Sequence, residues 1–136
     1  MPKAAASKSV TPPIAKTAET KKRTVADRWT PELAKSGHIP IVRKFLRGYR
    51  KLNPPITLGE AMFLIHLMDY KWDKEAPFPG YKTVAEHMGV SIKQARRLAK
   101  SLDGKKYLRR EYREATTNRY HLEQLFAALE KLNGGK

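Results

Sequence analysis

Two apolar patterns of helical spacing, divided at a three-residue break, stand out between Tyr81 and Leu102 in YKTVAEHMGVSIKQARRLAKSL. Val84, Ala85 and Met88 carry the first, and Ala95, Leu98, Ala99 and Leu102 carry the second. Between them lies Gly89-Val90-Ser91. Glycine can take the left-handed conformation that ends a helix. Ser91 is a good N-cap, and Gln94 three residues on completes a capping box. Two short helices joined so closely must cross steeply, and the small Ala85 suits their contact.

The rest of the pattern predicts elements around this pair. Thr57-Leu58-Gly59-Glu60 is a second capping box, opening a helix to about Tyr70. Ala61, Met62, Phe63, Leu64, Ile65, Leu67 and Met68 make that helix apolar nearly all round, which predicts a place at the centre of the core. Upstream, Thr30-Pro31 reads as the start of a short helix stopped by Gly37, with order expected to begin near Thr30. After an extended stretch from His38, Val42, Phe45, Leu46 and Tyr49 stripe another helix that Asn53-Pro54-Pro55 ends. Lys71 to Gly80, with Trp72, Pro77, Phe78 and Pro79, reads as an ordered connection with aromatic anchors. Downstream, Asp103-Gly104 marks a break after the second helix of the pair, and Tyr107 to Arg113 and Asn118 to Leu122 predict two strands joined by a turn at Glu114 to Thr117. Leu108 and Tyr112 would share one strand face, and Tyr120 and Leu122 one on the partner. Leu122, Leu125, Phe126, Leu129 and Leu132 stripe a last helix, closed by Asn133-Gly134. That stripe either closes the monomer core or forms a symmetric contact between two copies.

Charge narrows the choice of partner. The 136-residue chain holds 28 Lys and Arg against 13 Asp and Glu, a net charge of +15. Such an excess favours a polyanion, either nucleic acid or an anionic membrane. The stripe of Val42, Phe45, Leu46 and Tyr49, opposed by Arg43, Lys44, Arg47, Arg50 and Lys51, could lie on a membrane surface. Packing on the domain is the favoured role for it. No run approaches the ~18 apolar residues of a bilayer span, and the first residues lack a signal peptide's apolar core. From Met1 to about Arg23 the chain is Ala, Lys, Ser, Thr and Pro with little to bury, a basic tail resembling in composition that of a linker histone. The expected organisation is a disordered basic tail over 1–25, a helical extension over 26–56 and a domain over 57–133.

The second helix of the central pair carries the chemistry. Ala95, Leu98, Ala99 and Leu102 cluster on one side, and Lys93, Arg97 and Lys100 on the other, flanked by Arg96, Gln94 and Ser101. A helix that packs by small apolar residues and points Arg, Lys and Gln outward suits a major groove of DNA. A basic face held in solvent is the alternative. The expected DNA-contacting set is Ser91, Lys93, Gln94, Arg96, Arg97 and Lys100, with Arg109, Arg110, Arg113 and Arg119 on the hairpin.

With the hairpin in place, the region from Thr57 to Leu122 resembles a bacterial winged helix-turn-helix domain, as found in small regulators and replication initiators of bacteria, plasmids and phages. Ala85, Gly89, Val90, Ser91, Ala95 and Leu102, then Tyr107-Leu108-Arg109-Arg110 and Asn118-Arg119-Tyr120, carry the resemblance. It implies a mainly α fold with a small β-hairpin wing, a recognition helix over 91–102 and a wing over 107–122. Gly104 sits earlier than the glycine such domains often place before the Tyr-Leu pair. The wing tip Glu114-Ala115-Thr116-Thr117 has no glycine, and Gly80 stands where a capping Ser is common.

Catalysis finds no support in the residues: no Cys, no glycine-rich phosphate loop, no HExxH and no paired-carboxylate spacing. His66 and Asp69, three apart on the central helix, lack further ligands for a metal. The expectation is a cytoplasmic, nucleoid-associated protein that binds double-stranded DNA, without catalytic, metal or cofactor site, in transcription regulation or replication initiation. Pairing as a homodimer is compatible with it, and membrane association is not expected. Two rivals stand beside this reading: a sequence-indifferent architectural DNA binder led by the tail, and a winged-helix protein-interaction module.

Overall fold

A computed structural model of the chain describes residues 24–132. These fall into two compact units, one ending at His38 and the other beginning at Ile39. The first unit contains α1 (Val25–Arg28) and α2 (Pro31–Lys35). Thr24 and Asp27 cap α1 reciprocally, and the Thr30 hydroxyl accepts from the Leu33 N–H at 3.1 Å to cap α2. Order therefore starts before Thr30, and the Thr24-to-Asp27 box was the signal for it. The basic tail up to Arg23 and the Asn133-Gly134 stop lie outside the described residues.

The second unit runs α3 (Arg43–Gly48), a 3-10 turn (Tyr49–Lys51), α4 (Leu58–Met68), α5 (Tyr81–Met88), α6 (Ile92–Gly104), β1 (Arg109–Glu111), β2 (Arg119–His121) and α7 (Glu123–Lys131). Phe63, Leu64, Leu67, Val84, Ala95, Ala99, Leu102, Leu108 and Tyr120 form its centre. Phe45, Leu52 and Ile56 belong to the same core, so the stretch from Ile39 to Ile56 folds with the downstream domain. At the middle, the Phe63 ring meets the edge of Tyr120 at 6.3 Å, and Tyr120 meets Tyr81 at 6.0 Å. Aromatic pairs at these angles add to their burial.

The capping box of α4 forms as expected, with Thr57 and Glu60 bonded reciprocally. α4 lies at the centre of the core as expected, through Phe63, Leu64 and Leu67, but its apolar surface is not covered all round: Leu58 is 74% and Met62 48% exposed. The pair lies four residues apart, on a strip that neither α5 and α6 nor the α3–α7 side covers. On α3, likewise, Phe45 is buried while Leu46 and the preceding Val42 are exposed. A Cβ at Gly48 would lie 2.5 Å from the Leu132 side chain, which shows how closely α3 meets the end of α7. In α7, Leu125 and Leu129 are buried and Phe126 and Leu132 partly so, giving the stripe its core-closing role.

The hairpin is shorter than its pattern. Arg109, Arg110 and Glu111 pair antiparallel with His121, Tyr120 and Arg119. Beyond Glu111 the ladder stops, so alternation no longer governs Tyr112. That residue is 80% exposed instead of sharing the packed face of Leu108. The turn without glycine is made with Ala115 at φ 62°. In the connection before α5 the expected aromatic anchors, Trp72 and Phe78, are exposed, and Pro77 and Pro79 are buried in their place. The connection runs against the wing: the Tyr120 N–H donates to the Pro77 carbonyl at 2.9 Å, and the Thr117 hydroxyl to the Phe78 carbonyl at 2.5 Å. This approach accounts for Gly80, where a Cβ would press the Thr117 methyl at 3.3 Å.

Candidate nucleic-acid interface

The turn between α5 and α6 is built by hydrogen bonds that the sequence encodes locally. Gly89 adopts φ 75°, and the N–H groups of Gly89 and Val90 donate to the Glu86 and Ala85 carbonyls at 3.3 and 3.0 Å. This is a Schellman closure, which satisfies the last carbonyls of α5. Two residues later the Ser91 hydroxyl accepts from the Gln94 N–H at 3.0 Å and starts α6. The Gln94 side chain makes no return bond to Ser91, so the expected box is one-sided.

The far end of α6 differs from expectation. Asp103-Gly104 is not a break; the helix runs through Gly104. It closes where Lys106 takes φ 71°, with Lys106 and Tyr107 N–H groups donating to Asp103 and Leu102 carbonyls at 3.0 and 3.1 Å. That is the same closure as at Gly89, with lysine in the position glycine usually fills. Buried Leu102 and Tyr107 provide the apolar contact that accompanies it.

On α6, Ala95, Leu98, Ala99 and Leu102 are buried and Lys93, Arg96, Arg97 and Lys100 are exposed. Arg96 lies over the Tyr81 ring at 5.6 Å. Among the described residues, no hydrogen bond or ion pair holds Lys93, Arg97 or Lys100. The wing arginines divide into several environments. Arg109 is exposed. Arg113 sits over the Phe78 ring at 5.1 Å, its Nε donating to the Thr117 carbonyl at 2.8 Å. Arg119 is half-buried, with its Nε enclosed and lacking a partner among the described residues. Arg110 turns inward, its Nε 3.0 Å from the Asp103 carboxylate. Burial opposes its charge, but bonds to Tyr81 and Asp103 outweigh burial and hold the guanidinium pKa above its usual value. Across the ladder, His121 Nε2 lies 2.7 Å from Glu111, and this bond chiefly holds the Glu111 carboxyl below its usual range.

Residue pattern did not reveal the roles of Asp103, Glu60 and Pro77. Asp103 read as a helix break and Glu60 as a cap alone. His66 and Asp69 form no metal-holding cluster; among the described residues no group of three or more His, Cys, Asp or Glu could hold one. His66 stacks on His87 at 6.4 Å, and burial, then the neighbouring His87, lowers its pKa. No helix among the described residues is long and apolar enough to cross a membrane.

Two packed helices, a tight turn between them and an exposed basic face on the second define a helix-turn-helix domain. Residues 56–108 match a family of that description, Helix-turn-helix domain. The match ends at Leu108, just before β1, and the antiparallel hairpin that follows makes the domain winged. No curated protein and no solved structure matches the chain.

Proposed function

We propose that the chain binds double-stranded DNA by laying α6 in the major groove, in transcription regulation or the initiation of replication. The observation that carries this reading is the exposed row of Lys93, Arg97 and Lys100, free of partners among the described residues, opposite a wholly buried Ala95, Ala99 and Leu102. Arg97, near the middle of that row, reaches base edges. Gln94 joins it, since its side chain does not fold back on Ser91. Lys93, Arg96 and Lys100 meet phosphates, and the Ser91 turn approaches the backbone. Arg109, Arg113 and Arg119 add contacts from the wing, while Arg110 ties the hairpin to Asp103.

The test is a pair of salt titrations on a duplex selected from a random pool and on random DNA. Arg97→Ala should cost about 1–3 kcal/mol on the selected duplex and much less on random DNA. Equal loss on both would remove sequence reading by this side chain and favour the architectural role. No binding by the parent chain at low salt would favour a protein-interaction role. Pairing of two copies would match paired half-sites. With Leu125 and Leu129 buried in the core, pairing would fall to other surfaces, and sedimentation with and without DNA decides it.

A further inference from the structure

We infer that Glu60, on α4, is the positioning residue that fixes the pose of α6; this rests on the DNA-reading role of α6 proposed above. Glu60 is 2% exposed, although the third residue of a helix normally keeps a capping carboxylate at the surface. Its Oε1 accepts from the Thr57 N–H at 2.9 Å and from Lys105 Nζ at 2.7 Å. Its Oε2 accepts from the Ser101 hydroxyl. One carboxylate thus joins the first turn of α4 to the last turn of α6 and to Lys105, the residue that follows it. Lys105 Nζ also donates to the Pro55 carbonyl at 2.9 Å, and the Tyr107 hydroxyl to the Pro54 carbonyl at 2.6 Å.

Capping does not require the bonds from Ser101 and Lys105, because Thr57 and Glu60 complete the box between themselves. Nor does stability explain it, since a buried ion pair gains little over apolar groups of similar size. What it supplies is direction. α6 packs through Leu98 and Leu102 and, beside them, Ala95 and Ala99, whose short side chains make shallow ridges on that part of the buried face. A rotation of about 20° at a radius of about 5–6 Å moves a side chain by roughly 2 Å. That displacement breaks a bidentate hydrogen bond. Ser101 and Lys105 lie four residues apart, so both bonds fix one face of the helix. Through them Glu60 sets where Arg97 and Lys100 point without touching DNA itself.

The experiment uses the full chain and compares Glu60→Gln, Ser101→Ala and Arg97→Ala on a selected duplex and on random DNA. Binding is read by fluorescence anisotropy, at a temperature where circular dichroism shows each variant folded. Glu60→Gln keeps the volume and an acceptor for Thr57 but removes the charge facing Lys105. It should weaken binding to the selected duplex about tenfold, leaving random-DNA affinity and its salt slope unchanged. Ser101→Ala, which leaves the buried charge pair in place and tests the clamp if Glu60→Gln does not fold, should lower the same ratio severalfold. A lower melting temperature with an unchanged ratio in both variants, while Arg97→Ala reduces it, would assign Glu60 a purely structural role and overturn the inference. An unchanged ratio in Arg97→Ala as well would overturn the DNA-reading role and this inference with it.

Discussion

Replacing Phe63 with Ala tests the architecture at its centre. The ring is fully buried and meets Tyr120 edge-on at 6.3 Å. Truncation to Ala removes the buried ring and leaves a cavity, at a cost of about 3–5 kcal/mol. The lost aromatic pairing, about 0.5–1.5 kcal/mol, falls within that range. A loss of about 4 kcal/mol lowers the folding equilibrium constant roughly a thousandfold, a large share of a small domain's stability. Urea unfolding followed by far-ultraviolet circular dichroism measures it, with the slope checked for two-state behaviour. Phe63→Leu, which retains much of the volume, should lose much less, on the order of 1 kcal/mol. Because Tyr120 belongs to β2 and leans on Tyr81 of α5, the Ala variant should also weaken the near-ultraviolet tyrosine signal. A loss below about 1 kcal/mol for Phe63→Ala would refute the placement of α4 at the core.

The two left-handed closures offer opposite tests: Gly89→Ala should destabilise by about 1 kcal/mol through its positive φ, and Lys106→Gly should stabilise by up to about 0.5 kcal/mol in the same urea assay. For Glu60, burial pushes the pKa up, but bonds from Lys105, Ser101 and Thr57 outweigh it and hold the folded value below its usual one. Its contribution is therefore present above the unfolded pKa of about 4.3 and lost as pH falls through the lower folded value, so the melting-temperature gap between the parent and Glu60→Gln should narrow across that range. Removing residues 1–23, with Lys21, Lys22 and Arg23, should weaken selected and random DNA similarly and flatten the salt dependence. A salt slope unchanged by that deletion would exclude phosphate contacts from the tail.

What was legible in the sequence was local chemistry. The Thr57–Glu60 box, the Ser91 cap and the Gly89 stop each depend on groups within a few residues, so their pattern fixed α4, the turn and the start of α6. Exposure was less legible, because Met62, Leu46 and Tyr112 face outward for want of a neighbour rather than through any local signal. The stop of α6 was misplaced for a related reason. Gly104 has the freedom to end a helix, yet Lys106 adopts the left-handed turn because burial of Leu102 and Tyr107 supports the closure there. At the candidate interface, the outward row of Lys93, Arg97 and Lys100 followed from helical periodicity. The inward turn of Arg110 did not, since Asp103 becomes its neighbour only when β1 folds back beside α6.

The contacts between the connection before α5 and the hairpin have a thermodynamic consequence. Pro77 accepts from β2, Phe78 accepts from Thr117, and the Phe78 ring carries the Arg113 guanidinium. The wing is thereby preorganised, with its ordering entropy lost during folding instead of on encounter with a duplex. In the proposed complex, adjustment between α6 and the wing would then fall mainly on the DNA. Duplexes rich in flexible pyrimidine–purine steps would accommodate that fixed spacing at lower deformation energy, giving sequence preference at base pairs that no side chain touches.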